Sequence, residues 1–584
     1  MFFYTIISTL IKFVLFECFM LNSSNSSSQW IHSILMIQDR LYLYVAFIIF
    51  FLSGICLLHS KHRNLLLVGA NAFLSLVLIV DLSYARMFLT MPSIHSLLHA
   101  ENVKELVESV VNFTQWSDLV FIVDLLVIAI FNKRLKPYYS RFQLSRLPIS
   151  VMFLLSLLVI LYIPVTTTFF GQKDEKSLFK MMDSTITSYN LSPLGYHLLD
   201  SYLFFKEGFP QPLTQTQQNQ IGSWFIDKEE PLPNNQYQGL FKGKNLIVIQ
   251  VESLERFVLQ RTIDGQEITP TLNKMVKNGL YFSNIYEQVN QGTTSDAEFM
   301  TNTSIYPLRQ GSTFFNDPNN VYHSLPVLLK QNEYSTVALH SDKASYWNWA
   351  QALRSIGFEK TVDSSHFVHD GNIGMGLSDG SFLRQAVPVL NSMKPPFYSF
   401  IVTLSSHFPY NLPDTYRDLK LEKSLDRSVA GGYIQSVHYV DKQIGQFLNE
   451  LDRKGILQNS VVVVYGDHEG VHKYFRKEMS SYPEFANGKR VPLIIYHTGM
   501  EPKQIDTVGG QIDIFPTLAY LMGVPEEKYK ESAIGRNLLK TSKSFAVLSD
   551  ETYVGTKVTE SEKRHRQQGL SIADQMIRSD YFRN

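Results

Sequence analysis

The sequence predicts an α/β domain built around a mostly parallel sheet, preceded by a five-helix transmembrane domain. Four apolar runs in the second half of the chain suit strands buried on both faces. Each ends in a residue able to hold a metal or a phosphate. Residues 245–251 run into Glu252, 335–339 into His340, 397–404 through two serines to His407, and 460–465 through Gly466 to Asp467 and His468. In parallel sheets ligands bind beyond the carboxyl ends of the strands, so these residues should converge although they are far apart in the chain. A second observation is the alternation of strand-like and helix-like segments from about 244 to 523, the helices near 271–278, 324–332, 431–454 and 512–522, with a further strand at 491–496. The third is a break in composition at about residue 170, before which Phe, Leu, Ile and Val dominate.

Apolar stretches near 2–21, 41–58, 65–82, 119–131 and 149–170 are the five expected spans. The first carries Lys12 and Glu17; it is read as a retained helix, because it lacks the basic start and small-residue cleavage site of a signal peptide. Lys61 and Arg63 follow the second span. Lys133, Arg134, Lys136, Arg141 and Arg146 follow the fourth, with no acidic residue between 132 and 147. The positive-inside rule then places the N-terminus in the cytoplasm and everything after residue 170 outside the cell. The domains expected are 1–170 in the membrane, a connector over 171–240 containing an amphipathic stretch at 176–182, and an extracellular catalytic domain over 241–584. The chain end beyond about 557 is highly polar. With 53 basic and 53 acidic residues, nothing marks a nucleic-acid binder. The two cysteines, Cys18 and Cys56, lie in apolar stretches, so no disulfide or cysteine–zinc framework serves the outer domain.

Residues 291–300, Gln-Gly-Thr-Thr-Ser-Asp-Ala-Glu-Phe-Met, supply a candidate nucleophile. Ser295 and Glu298 fit a capping box, which places Thr294 just before a helix N-terminus, where an anion is favoured. A threonine hydroxyl needs a metal or a base to become a nucleophile. Glu252, Asp467 and His468 are its natural metal-binding partners, and with Thr294 they form an oxygen-rich set suited to manganese or zinc. Each residue alone has a plainer reading, as a helix cap, a turn or a solvated strand end; the combination is what points to catalysis.

Val-Glu-Ser at 251–253, Gly-x-Thr-Ser-Asp around Thr294, Ser-His-Phe-Pro at 406–409, Tyr-Gly-Asp-His at 465–468 and Gly-Gln-Ile-Asp-Ile-Phe-Pro-Thr at 510–517 resemble the lipoteichoic acid synthase family. That resemblance implies a five-span membrane enzyme with an extracellular sulfatase-like domain of the alkaline phosphatase superfamily. It implies Thr294 as nucleophile and Glu252, Thr294, Asp467 and His468 as ligands of Mn²⁺. It also implies a head-group site of His340, Trp347 and His407. The family pattern there has Trp-Asn-Arg, whereas this chain reads Tyr346, Trp347, Asn348, Trp349. Tryptophan cannot copy the bidentate contact of arginine to phosphate, and Arg354 or Lys343 is the candidate to replace it.

The function expected is transfer of glycerol phosphate from phosphatidylglycerol to a glycolipid or a growing polyglycerolphosphate chain, through a phospho-threonine intermediate, at the membrane of a Gram-positive-type cell. A primase adding only the first unit, or a simple phosphodiesterase, would use the same residues. A phosphoethanolamine transferase fits less well, because this outer domain has no cysteine. A sulfatase needs Cys or Ser in a C/S-x-P-x-R setting, which neither cysteine provides, and a non-enzymatic membrane sensor would leave the nucleophile and three ligands unexplained.

Overall fold

A computed structural model describes residues 1–21, 38–58, 63–88, 91–92, 94, 114–130, 145–169, 184–207, 212–344, 348–374, 376–482, 485–486 and 488–583. The chain forms two compact units, Met1–Phe209 and Pro210–Asn584.

The first unit is a bundle of apolar helices, among them α1 (Phe2–Leu21), α2 (Leu41–Leu58), α3 (Arg63–Phe88) and α4 (Arg146–Phe169). Phe13, Phe16, Tyr44, Ile48 and Leu78 fill its core. The expectation of five spans is corrected here. Among the described residues two helices, Phe2–Met20 and Arg63–Arg86, are long and apolar enough to cross a membrane, and the apolar parts of α2 and α4, Leu41–Leu57 and Arg146–Tyr162, are shorter. The fourth expected span opens as a 3₁₀ helix, Trp116–Ile122. Lys12 of the first expected span is paired: its ammonium lies 2.6 Å from Asp124 Oδ1 and donates to Asn71 Oδ1 at 2.8 Å and Ser75 Oγ at 2.7 Å. A buried charge stays charged only with partners of this kind. Both cysteines are free and buried.

The stretch 171–240 contributes helices to both units. α5 (Ser184–Leu191) and α6 (Pro193–Glu207) belong to the first, and α7 (Gln215–Lys228) to the second. Residues 176–182 lie outside the described residues. Thr214 caps α7 through a reciprocal exchange with Gln217, which explains why a run of glutamines is helical.

The second unit is organised by a nine-stranded sheet. In chain order its strands are β1 (Asn245–Val251), β2 (Leu280–Tyr286), β3 (Ser335–His340), β4 (Lys360–Val362), β5 (Phe397–Val402), β6 (Ser460–Gly466), β7 (Arg490–Tyr496), β8 (Lys503–Ile505) and β9 (Gly509–Gly510). The order across the sheet is β8-β2-β7-β6-β1-β5-β3-β4, with β9 also on β2. Only β7 runs against its neighbours. The alternation of side chains splits the apolar interior into a layer on each face. Leu246 and Val248 of β1 join one, Ile247 and Ile249 the other. The polar chain end forms a helix, Glu560–Arg578, that buries Leu570, Ile572, Ala573, Met576 and Ile577.

Lys228, the last residue of α7, fixes that helix to the sheet domain. Its ammonium donates to the carbonyls of Ala533, Ile534 and Gly535, the last two at 3.2 and 2.8 Å. Lys228→Met should leave these carbonyls without a donor and destabilise the second unit by about 3 kcal/mol, read as a lower Tm in a thermal scan.

Candidate active site

The strands that carry the expected site residues are adjacent and parallel, in the order β6-β1-β5-β3, so their carboxyl ends share one edge. Gly466 pairs with Val251, Val402 with Gln250, and His340 with Val402. Glu252, Asp467 and His468 each place one ligand atom within 4.8 Å of the other two, and all three are buried. Thr294 Oγ1 donates to Glu252 Oε2 at 3.1 Å. The structure therefore brings the candidate nucleophile and the candidate ligands together, across 216 positions of sequence (252 to 468).

Local contacts explain the arrangement. Asp467 Oδ1 accepts from the backbone N–H groups of Ser253 and His468, both at 2.7 Å, which turns Oδ2 inward. His468 Nδ1 faces the Glu469 carbonyl at 2.8 Å and so carries the proton, leaving Nε2, 3.6 Å from both Glu252 Oε1 and Asp467 Oδ2, as a lone pair. Gly466 is required by close approach, since a Cβ there would lie 2.0 Å from the Leu254 carbonyl oxygen. Gln511, in the 510–517 motif, donates to the Asp467 carbonyl.

Thr294 is held differently from the sequence expectation. The helix α8 spans Thr294–Thr303, with Thr293 before it at φ 44° and no side-chain cap. Ser295 and Glu298 are therefore inside the helix, and the expected capping box is absent. Ser295 Oγ donates to the Gly292 carbonyl at 2.8 Å, and Glu298 accepts from Trp349. The tight turn wins because Asp296 Oδ2 accepts the N–H groups of both Asn290 and Gly292 at 2.9 Å, curling the loop back on the first turn. From below, Gln250 Nε2 of β1 donates to the Thr294 carbonyl at 3.1 Å.

The electrostatics are those of a closely coupled acid pair. Burial and the neighbouring Glu252 push the Asp467 carboxyl well above its usual range. Glu252 goes the other way: against its own desolvation, His468, His407 and the Ser253 hydroxyl hold it down at about 2. Burial lowers His468 to about 4, so its ring is neutral and free to ligate. Asp467 Oδ2 is buried without any hydrogen-bond partner. An orphaned carboxylate oxygen beside a second carboxylate and a neutral imidazole is the donor set a divalent metal needs, and these residues fit one.

His340 ends β3; its Nδ1 accepts from Asp342 N at 3.0 Å, which puts the ring proton on Nε2, and burial lowers it to about 4. His407 Nδ1 donates to the Phe408 carbonyl at 2.6 Å, leaving Nε2 as its acceptor. Trp347 lies outside the described residues. Trp349 is buried, meets His340 edge-on at 5.4 Å between ring centroids, and donates its indole N–H to Glu298 Oε2 at 2.7 Å. Burial pushes Glu298 up to about 8, against that hydrogen bond. Arg354 is exposed, with Nε and Nη2 on Thr361 Oγ1 at 3.2 and 3.1 Å.

Sequence reasoning missed the braces. Asp296 and Gln250 were legible only as motif and strand residues. Asp379, which accepts from Leu404 N at 2.9 Å and Ser405 N at 3.1 Å ahead of His407, and Lys473, beyond the Asp-His pair, gave no signal of their own.

Fold and site define a sulfatase-type α/β domain, and the sulfatase family model matches residues 244–524. Residues 1–211 match the lipoteichoic acid synthase N-terminal domain. Lipoteichoic acid synthase 1 of Bacillus subtilis (strain 168) is 32% identical over 508 residues, covering 82% of this chain and 76% of that protein. Lipoteichoic acid synthase of Staphylococcus aureus (strain USA300) is 27% identical over 555 residues, 87% of this chain and 84% of that one. The crystal structure of the lipoteichoic acid synthase LtaP from Listeria monocytogenes superposes with a TM-score of 0.55 at 28% identity, covering 62% of this chain and 98% of that one. The chain belongs to the lipoteichoic acid synthase family.

If Asp296 positions the nucleophile, Asp296→Ala should free two buried N–H groups, at about 1–3 kcal/mol each. Turnover should then fall at least roughly tenfold through misplacement of Thr294. Calorimetric titration should show metal affinity falling less than turnover, since Glu252, Asp467 and His468 are untouched and only Thr294 is displaced.

Proposed function

We propose that this chain transfers glycerol phosphate from phosphatidylglycerol to a glycolipid or a growing polyglycerolphosphate chain. The observation that carries this reading is Thr294 Oγ1 on Glu252 Oε2 at 3.1 Å, at the edge of a metal-ready cluster, in a member of this family. Glu252, Asp467, His468 and Thr294 would hold the ion, and Mn²⁺ suits their mixed nitrogen and oxygen donors. When bound, the ion supplies Lewis-acid stabilisation and a lower hydroxyl pKa.

The chain's own residues do the rest. Thr294 Oγ1 gives up its proton to His407 and attacks the phosphorus; the bond to diacylglycerol breaks, and that proton passes to the diacylglycerol oxygen. Glycerophospho-threonine remains. An acceptor hydroxyl then gives its proton to His407 and attacks, the Thr294–phosphorus bond breaks, and that proton returns to Thr294 Oγ1. His407, through Nε2, is the group to accept and return protons. His340, neutral with its proton on Nε2, donates to a phosphoryl oxygen, and Trp347 stays in the head-group set on the family resemblance alone. Arg354 stays in the substrate-binding set only if it leaves Thr361. The N-terminal unit anchors the enzyme in the cell membrane, with its N-terminus in the cytoplasm and the catalytic domain outside, where donor and product are both lipids. Buried pairs such as Lys12–Asp124 make an apolar bundle with charged residues compatible with lipid.

Labelled phosphatidylglycerol, incubated with purified protein with and without glycolipid acceptor, tests the reading; acceptor-dependent label transfer is the expected result, and release of free glycerol phosphate alone would mark a phosphodiesterase. Thr294→Ala should abolish turnover without changing Tm, and retained activity would exclude the covalent step. Chelation should inactivate the enzyme, with Mn²⁺ restoring it better than Mg²⁺, and Asp467→Asn or His468→Ala should lose metal and activity together. Metal analysis alongside turnover checks this.

A further inference from the structure

An anionic phosphodiester entering this site meets carboxylates, so a protein cation should face it. The positions that the sequence offers do not provide one. Position 349 is a tryptophan committed to Glu298 at 2.7 Å, and Arg354 is exposed with its guanidinium on Thr361. An arginine at 349 would itself meet the buried Glu298 carboxyl.

Lys473 lies elsewhere, in the first turn of the helix Val471–Met479, which follows directly on the Asp467–His468 loop. That turn is fixed. Glu255 Oε1 accepts from Gly470 N at 2.9 Å and His472 N at 3.0 Å, and Glu255 Oε2 lies 2.5 Å from His472 Nδ1. The Lys473 side chain is half-buried, and the carboxylates acting on it are Glu287, Glu252, Asp467 and Asp296. These include two proposed metal ligands and the brace of the Thr294 loop. Its ammonium makes no hydrogen bond or ion pair with the described residues. It lies 5.9 Å from the centroid of the Tyr474 ring, which stacks at 4.6 Å on Phe408, the neighbour of His407. Burial pulls its pKa down, with the four carboxylates opposing.

We propose that Lys473 is the phosphate-holding cation of this chain, reaching the donor's phosphoryl oxygens from the helix after the metal loop, where the family pattern has an arginine at 349. The inference rests on the glycerol phosphate reading above and deepens it. An ammonium holds phosphate as a point charge, without the two-pronged geometry of a guanidinium, so the pocket fixes the head group by charge and leaves orientation to His340 and His407.

The test uses the full chain in detergent, loaded with Mn²⁺, as wild type, Lys473→Gln and Lys473→Arg. Calorimetry measures binding of glycerol phosphate, of inorganic phosphate and of Mn²⁺, and a thermal scan gives Tm. Lys473→Gln should weaken both phosphates roughly ten- to hundredfold, Lys473→Arg should recover most of that loss, and Mn²⁺ affinity and Tm should stay at wild-type values. Unchanged phosphate affinity in Lys473→Gln would overturn the proposal. So would a parallel fall in Mn²⁺ affinity or Tm, or failure of that variant to fold, each of which marks the lysine as a counter-charge for the carboxylates. Lysine-dependent phosphate binding in a wild type that turns over no phosphatidylglycerol would support the contact while rejecting the transferase reading.

Discussion

Glu252 and Asp467 sit side by side in a dry pocket, and the rest of the site is arranged around that cost. Two carboxylates cannot both ionise there unaided, so one is held low and the other is driven high. A divalent cation held by Glu252, Asp467 and His468 would neutralise the pair, and the unpartnered Asp467 Oδ2 is an oxygen able to ligate it. The folding energy of the sheet holds the pair in place, since both residues continue strands whose every residue is buried.

Around the pair, each loop is tied by a buried polar side chain to backbone N–H or C=O groups. Asp296 ties the nucleophile loop, Asp379 the loop before His407, Glu255 the turn after His468, and Gln511 the Asp467 carbonyl. A carboxylate that accepts two N–H groups fixes a loop at lower entropic cost than apolar packing, because direction as well as distance is set. The Thr294 hydroxyl thus rests on rigid elements, as the proposed phosphoryl transfer would require.

Trp349 is a buried wall residue with two partners. The indole fills the space against His340 and satisfies Glu298, a carboxyl that burial keeps protonated into the neutral range. Position 349 has thereby become part of the packed wall, and any cation for the substrate has to come from another element.

The unbroken apolar runs of β1, β3, β5 and β6 made the parallel sheet legible, because only strands covered on both faces can carry them. Parallel strands in turn put Glu252, His340, His407 and Asp467–His468 at one edge. The capping box failed because Asp296, between its two residues, draws the Asn290 and Gly292 N–H groups onto the first turn of a helix that already begins at Thr294, while Glu298 is taken by Trp349. Among the described residues two of the expected spans are long and apolar enough to cross a membrane, because composition shows apolar stretches but not helix length: the stretch from 119 opens within the 3₁₀ helix Trp116–Ile122. Periodicity and strand direction were enough to read the fold class, the sheet edge where the candidate residues meet, and Glu252, Asp467 and His468 as a possible metal cluster. Only the tertiary structure decided what surrounds them: which carboxyl is orphaned, that Trp349 answers Glu298, and that Lys473 lies among the acids. Those depend on contacts between elements distant in sequence, for which no local pattern exists.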